Sequence, residues 1–269
     1  MKPTRKQIWT IAYPILISLL MENMIGLTDT AFLGRVGEVE LGASALGSVY
    51  YLVIFMLGFG FGIGAQILIA RRNGEKAYAL IGPLFQQGLL FLLSLATVMF
   101  VISHTFTPMV LRSLISSDEV YEAAVSYTNW RVFGFFFAFV AIMFRAFFVG
   151  ITNTKTLTLN SIVMVLSNVV LNYVLVFGKL GLPAMGIAGA AIASSASEMI
   201  SMVFFIVYTR LRIDHRKYGL FRFAGFSSKL LRGMLNVSVW TMIQMFVAIS
   251  TWFFFFIAVE HLGERPLAV

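Results

Sequence analysis

Long uncharged apolar runs recur along this chain, and they limit its fold more than any other feature. A helix needs about 20 consecutive apolar residues to cross the hydrocarbon core of a bilayer. Five runs of about this length or longer contain no Asp, Glu, Lys or Arg, namely 41–70, 77–111, 156–178, 180–197 and 233–259. Two more contain two charges each: Glu22 and Asp29 in 8–33, and Arg131 and Arg145 in 125–149. The sequence therefore predicts an all-α, polytopic membrane helix bundle of seven spans.

The overall composition agrees with a membrane protein. Hydrophobic residues make up 59% of the chain and charged residues only 12%, whereas soluble domains average about 25% charged. The first apolar run is too long for a removable signal peptide, contains carboxylates, and is followed by no small-residue cleavage site. The chain has no cysteine, which excludes disulfides and thiolate metal sites.

The basic residues predict how the spans are oriented. If the amino terminus is cytoplasmic, the loops hold fourteen basic residues inside and four outside, a strong positive-inside bias. The inside set is Lys2, Arg5, Lys6, Arg71, Arg72, Lys76, Lys155, Arg210, Arg212, Arg216, Lys217, Arg222, Lys229 and Arg232, and the outside set is Arg35, Arg112, Lys179 and Arg265. We expect the basic stretch 210–232 to face anionic lipid rather than nucleic acid.

An internal repeat predicts the domain organisation. A shift of 226 residues aligns two copies of a pattern in which a basic residue, a long apolar span and Gly-Glu-x-x-Leu follow one another. The aligned residues are Lys6 with Arg232, Gly37-Glu38 with Gly263-Glu264, and Leu41 with Leu267. Internal repeats are common in secondary transporters. We therefore expect residues 1–225 to form a six-span lobe and residues 226–269 to open a second, truncated lobe of a longer protein.

A carboxylate within the first span is the leading functional candidate. Charges at membrane depth are costly and usually mark ion or proton pathways, and Asp29 shares a helical face with Ser18 and Glu22. Asn168 and Asn172 share a face of the fifth span. Counting from the basic residues at the outer ends places Asp29 and Asn172 about 9–10 Å from the outer boundary. Their hard oxygens suit a proton or a small cation such as Na⁺.

Other polar residues within the spans allow structural and functional interpretations. Ser194 and Glu198 share a face of the sixth span, where a serine is a common packing residue. Glu22 and Glu198 could each pair with a neighbouring charge, remain protonated, or act as accessory polar groups of the site. The two asparagines could instead link helices by hydrogen bonds. Pro14 is a candidate kink or gating point, and the glycines of 58–64 indicate close helix packing rather than a phosphate loop.

The remaining polar residues do not predict an enzyme. His104, His215 and His261 have no metal-ligand spacing, and no catalytic constellation or ATP-binding motif is present. We therefore expect no organic cofactor and no metal other than Na⁺ at Asp29, Asn168 and Asn172. Because no ATP-binding motif is present, an H⁺ or Na⁺ gradient is the expected energy source.

Several motifs occur in the same order as in a known transporter family. They are Tyr13-Pro14, the run from Leu27 to Gly37 that includes Thr28-Asp29-Thr30, Gly64-Ala65-Gln66, Gly150-Ile151-Thr152-Asn153-Thr154-Lys155 after Arg145, Asn168-Val169-Val170-Leu171-Asn172, and the run from Gly186 to Ala193. Together they resemble the multidrug and toxic compound extrusion (MATE) family. The resemblance implies a twelve-span antiporter of two six-span lobes, which exports organic cations or other amphipathic compounds across the cytoplasmic (inner) membrane. It also implies a cation site at Asp29, Asn168, Asn172 and Ser194.

The resemblance has departures, which leave the coupling ion and its stoichiometry open. Some family members have Asp at the position of Asn172 and Thr at that of Ser194, and another branch has Glu in the seventh span, where Ala248 aligns here. The partners implied are membrane lipid, an amphipathic or cationic substrate, and a carboxy-terminal lobe.

Three alternatives to an antiporter stay open at this point. A lipid-linked oligosaccharide flippase of related architecture needs cationic residues in its central cavity. Only Arg131 and Arg145 are available, and we expect both near the ends of their span. A non-transporting membrane subunit would not need Asp29, and an intramembrane enzyme would need a catalytic constellation.

Overall fold

The computed structural model describes residues 5–222 and 225–260, which form α-helices joined by short connections. The helices are α1 (Arg5–Leu33), α2 (Glu38–Gly74), α3 (Ile81–Leu114), α4 (Asp118–Arg131), α5 (Gly134–Gly150), α6 (Lys155–Phe177), α7 (Gly186–Arg212) and α8 (Ser228–Glu260), with a short 3₁₀ turn at Tyr78–Leu80 before α3. Six are long and apolar enough to cross a membrane, and α4 with α5 makes a seventh. The predicted all-α membrane bundle is confirmed.

The fourth span, which the sequence predicted over 125–149, is bent. Helices α4 and α5 meet at 49° across a break of two residues. Helix α4 begins earlier than predicted. The hydroxyl of Ser117 caps it by accepting a 3.4 Å hydrogen bond from the backbone N–H of Val120. Arg131 is consequently the last residue of α4 and lies at the bend, near the middle of the span that α4 and α5 form together. The position predicted for this residue was wrong.

The sixth span is displaced along the sequence relative to the uncharged run 180–197. Gly178 and Gly181 have φ angles of 65° and 82°, a left-handed backbone that interrupts the helix and that glycine adopts without strain. Helix α7 therefore begins at Gly186 and continues to Arg212. Glu198 lies near its middle.

Helix α2 packs closely against α5 on one face and α8 on another. A Cβ at Gly58 would lie 2.7 Å from the ring of Phe139 on α5. A Cβ at Gly60 would lie 2.6 Å from the backbone Cα of Met242 on α8, and one at Gly64 would clash with Ser238 of the same helix. The glycines predicted to allow close packing are therefore the contact points of α2.

The connection before α8 is hydrogen-bonded to α3. The side chain of Gln87 on α3 donates a 2.7 Å hydrogen bond to the carbonyl of Gly225 and accepts a 3.2 Å bond from the backbone N–H of Ser227. The predicted boundary between residues 225 and 226 falls in this connection. The division into two lobes stays a prediction, and the second copy of the repeat, Gly263-Glu264, lies outside the described residues.

Helix α1 lies at the edge of the bundle and packs mainly on α6. Much of its apolar surface is exposed, including Leu20 and Leu27, which are 65% and 62% accessible. Pro14 is buried within the helix, and its carbonyl accepts 3.0 Å hydrogen bonds from the hydroxyls of Ser18 and of Thr158 on α6. The predicted gating residue therefore lies at a contact between α1 and α6.

Candidate cation site and central cavity

A cavity of about 500 Å³ opens between α1, α2, α4, α5, α6 and α7, within the range typical of small-molecule sites. Its lining combines apolar side chains such as Phe55, Phe59 and Met164 with a few polar groups. Three carboxylates and two guanidiniums border it, namely Glu22, Asp29, Glu198, Arg131 and Arg145. The cavity therefore contains both signs of charge in an apolar surrounding.

Asp29 lies where α1 meets α6 and α7, and three side chains donate hydrogen bonds to its carboxylate. Asn172 Nδ2 donates to Oδ1 at 2.7 Å and Ser194 Oγ donates to Oδ2 at 2.6 Å, while Asn168 Nδ2 lies 3.3 Å from Oδ1. Asn168 also donates to Ser194 Oγ at 3.1 Å. All four residues of the predicted cation site therefore meet in one cluster, although their role there stays a prediction.

The helical spacing explains why this cluster forms. Asn168 and Asn172 are one turn apart on α6 and so point in the same direction. Both are fully buried, and Ser194 on α7 is 2% accessible. Asp29 is only partly buried and, with Ser194, borders the cavity, while the asparagines lie behind it. The carboxylate is thus the part of the cluster that a solute in the cavity meets.

The two asparagines each keep an unused oxygen. Oδ1 of Asn168 and Oδ1 of Asn172 are buried without a hydrogen-bond partner in the part of the chain that the structure describes. A buried carbonyl oxygen without a partner is energetically unfavourable. Rotation of either amide by a half turn would exchange its N–H₂ for this oxygen beside Asp29. The site can accordingly present either donors or acceptors to whatever the carboxylate holds.

The predicted accessory acids are both ion-paired across the cavity. Glu198 accepts two hydrogen bonds from Arg131, at 2.9 and 2.6 Å, and Glu22 accepts one from Arg145. Of the interpretations left open for these acids, pairing with a neighbouring charge is the one observed. Arg145 lies five residues before the end of α5, in agreement with its predicted position near the end of the span, and it borders the cavity.

Sequence reasoning missed Tyr51, which completes the Arg131–Glu198 pair. Its hydroxyl donates to both carboxylate oxygens, at 3.1 and 3.0 Å, and its ring lies 3.5 Å from the guanidinium carbon. A Cβ at Gly134 would clash with both members of the pair. In the sequence, the local sign of this pair is Gly134, a glycine three residues after Arg131 within an apolar span, where a larger residue would not fit.

Comparison with known families identifies the chain. The MatE family profile matches residues 14–174, which is more than half of the sequence. The chain belongs to the MATE family. The resemblance to this family that the ordered motifs predicted is thereby confirmed.

Individual MATE relatives give the same result. A probable multidrug resistance protein NorM from Mannheimia succiniciproducens is 26% identical over 217 residues, and one from Synechocystis is 29% identical over 223 residues. These alignments cover 80% and 82% of the chain but only 46% and 48% of the relatives. The chain thus spans about half the length of the curated MATE relatives it matches.

Solved structures of MATE-like transporters share the fold. An outward-facing multidrug resistance MATE family transporter matches with a TM-score of 0.84 and 21% identity, over 96% of this chain and 58% of that one. A MOP superfamily transporter from Pyrococcus furiosus, described as having a binding pocket of reverse polarity, matches over the same shares with a TM-score of 0.83 and 21% identity. Both of these solved structures are described as transporters.

Proposed function

We propose that this chain forms the amino-terminal lobe and the first helix of the second lobe of a cation-coupled antiporter. The complete protein uses an H⁺ or Na⁺ gradient to export organic cations or other amphipathic compounds across the cytoplasmic (inner) membrane, with its amino terminus in the cytoplasm. The observation that carries the proposal is the convergence of Asp29 with Asn168, Asn172 and Ser194 beside an apolar cavity.

The chemistry of this cluster suits a reversibly bound cation. An ionised Asp29 uses the hydrogen-bond donors that now face it. When a proton or Na⁺ binds, the rotated amides of Asn168 and Asn172 would offer their oxygens, which are ligands of the kind that hard cations prefer. Coupling follows because substrate and ion then compete for the same electrostatic environment, and linkage requires each to weaken the binding of the other equally.

Helix α1 is the element that this exchange would move. It carries Asp29 near one end and the Pro14–Thr158 contact near the other. A change in what Asp29 holds alters the polar contacts between the outer half of α1 and α6 and α7. We propose that α1 responds by bending at Pro14, which disfavours bound substrate in the outward-open state. The partners of this cycle are membrane lipid, the substrate and the second lobe.

The flippase alternative is less well supported by the cavity. A pyrophosphate would require several cationic groups, yet the described lining of the cavity supplies two, Arg131 and Arg145. The carboxylates bordering the cavity outnumber the guanidiniums among the described residues. Headgroup-dependent lipid flipping by the complete protein would nevertheless establish that function.

Transport by the complete protein in liposomes tests the antiporter proposal. We expect export of rhodamine 6G, an organic cation, to follow an imposed pH or Na⁺ gradient, and Asp29→Asn to abolish that dependence. Glu75→Gln is the matched control, because it also exchanges a carboxylate for an amide. Glu75 is exposed and lies outside the cavity lining, and hydrogen bonds from Arg71 and Arg72 lower the pKa of its carboxyl. Gradient-driven export by Asp29→Asn at the wild-type rate would refute the coupling role proposed for Asp29. Export by the wild-type protein that follows neither gradient would refute the antiporter.

A further inference from the structure

The two ion pairs that border the cavity differ in how completely they are satisfied. Arg131 makes two hydrogen bonds to Glu198, and its guanidinium also lies on the ring of Tyr51. Arg145 makes one hydrogen bond to Glu22. The side chains of the first pair are 11% and 14% accessible, and those of the second are 16% and 33% accessible. The second pair is therefore the more accessible of the two.

Arg145 retains binding capacity that its partner does not use. A guanidinium has five N–H donors in a planar fork suited to bidentate contact with a carboxylate. Only Nη1 of Arg145 is hydrogen-bonded to another residue within 5–222 and 225–260. The guanidinium carbon lies over the ring of Phe59, 5.6 Å from the ring centroid. The group thus combines unused donors with an apolar, aromatic surrounding.

We propose that Arg145 is an anion subsite for the substrate and that Glu22 occupies it in the empty cavity. The corresponding substrate class is an amphipathic molecule that carries a carboxylate as well as a cationic centre. This inference rests on the proposed export function, because it assigns the same cavity a narrower ligand. It makes Glu22 and Arg145 specificity-determining residues.

Charge balance supports an exchange of partners at this pair. When a substrate carboxylate binds Arg145, Glu22 is released as a carboxylate on α1, and it can then bind the cationic centre of the same molecule. One internal ion pair is replaced by two pairs with the substrate, and the cavity keeps its net charge. A molecule with only a cationic centre would leave Arg145 and Glu22 to each other and would gain less.

The pair also connects the substrate to the helix that carries Asp29. Glu22 and Asp29 are seven residues apart on α1 and therefore lie on one face of that helix. Release of Glu22 removes the contact between α1 and α5, while the Asp29 contacts to α6 and α7 are separate. A carboxylate-bearing substrate would accordingly loosen α1 at a second point, independent of the coupling ion.

A matched pair of dyes tests the proposal on the complete protein in phosphatidylcholine nanodiscs, where no anionic lipid competes. Rhodamine B carries a carboxylate and a delocalised cation, and its ethyl ester keeps the cation without the carboxylate. Fluorescence polarisation gives the Kd of each dye without any ion gradient. The ratio of the two Kd values isolates the contribution of the carboxylate, since a general defect changes both alike.

The variants are expected to move this ratio in opposite directions. Arg145→Gln should weaken rhodamine B about tenfold relative to the ester, because charge-assisted bonds to the carboxylate are lost. Glu22→Gln should shift the Kd ratio about threefold in favour of rhodamine B, because the unpaired Arg145 then attracts its carboxylate and repels the purely cationic ester. The double variant, Glu22→Gln with Arg145→Gln, leaves neither charge of the pair without its partner. It should weaken rhodamine B relative to the ester as Arg145→Gln does, which would show that an unpaired charge and a resulting folding defect are not the cause. Glu75→Gln should leave both Kd values unchanged.

Failure of this inference is distinguishable from failure of the export function. A Kd ratio within twofold of wild type in both Arg145→Gln and Glu22→Gln would overturn the anion subsite, even if both dyes were exported along an ion gradient. A shifted ratio in a protein that exports neither dye would leave the subsite intact and refute only the antiporter.

Discussion

Asn172 donates a 2.7 Å hydrogen bond to the carboxylate of Asp29, although 143 residues separate the two in the chain. This contact joins α1 to α6 at the centre of the proposed cation site. Because residue 172 is an amide, Asp29 is the one carboxylate in the cluster that it forms with Asn168, Asn172 and Ser194.

Asn172→Asp is expected to raise the affinity of the site for Na⁺ about fivefold or more. Two carboxylates in contact repel each other unless a cation or a proton is shared between them. The change is measured as Na⁺-dependent stabilisation of the purified complete protein, since a ligand that binds only the folded state raises its melting temperature. Asn160→Asp is the matched control, because it adds a carboxylate to the same helix against Ser201 instead of Asp29. An equal gain in both variants would contradict a specific role for Asn172.

Arg131→Met is expected to destabilise the protein by about 3–5 kcal/mol, the usual cost of leaving one member of a buried ion pair without its partner. Combining it with Glu198→Leu should recover most of this loss, because both buried charges are then gone. The measurement is the melting temperature in nanodiscs. Arg112→Met, which breaks an exposed pair with Asp118, should leave it unchanged. A double variant no more stable than Arg131→Met would show that the pair is not the source of the effect.

Gly60→Ala should lower stability by about 1–3 kcal/mol, in the range observed for overpacked interiors. The added Cβ would lie 2.6 Å from the backbone of Met242, which cannot rotate away as a side chain can, so α8 must move from α2. Gly74→Ala has nothing within 4 Å of the new atom and should be neutral or slightly stabilising. Equal melting temperatures for these two variants would mean that α8 does not pack on α2 as described.

Pro14→Ala is expected to slow export without changing the Kd for rhodamine 6G. An alanine restores the backbone hydrogen bond that proline lacks and so stiffens α1 at the proposed bend. We expect a rate reduction of about threefold or more, as for other changes at hinges that limit turnover. Pro183→Ala, in the loop between α6 and α7, controls for loss of a proline elsewhere. Unchanged export by Pro14→Ala would exclude a bend at this residue.

The membrane spans and their number could be predicted from the sequence, because span length and the absence of charge are local properties of each segment. The shared face of Asn168 and Asn172 is equally local, since residues four apart on a helix must point the same way. The contact between Asp29 and that face could not be predicted from the spacing of residues along one helix. The depth estimate placed the residues at one height, and the family resemblance placed them in one lobe.

The ion pairs could not be predicted, because nothing in a single span states which neighbour it will have. Glu22 with Arg145 and Glu198 with Arg131 each join helices that are far apart in sequence. The bend between α4 and α5 was missed for a related reason. Arg131 is tolerated in an apolar segment only because α7 brings a carboxylate to it, and that contact occurs where the helix breaks.

The peripheral position of α1 has an energetic consequence for the transport cycle. Because much of its apolar surface lies outside the bundle, shifting it disturbs a few polar contacts and little of the aromatic interior. Hydrogen bonds between membrane helices average about 0.6 kcal/mol, and one elementary charge crossing 100 mV releases about 2.3 kcal/mol. In the proposed cycle, one ion crossing the membrane would therefore release enough free energy to move this one helix while the remainder of the lobe keeps its packing.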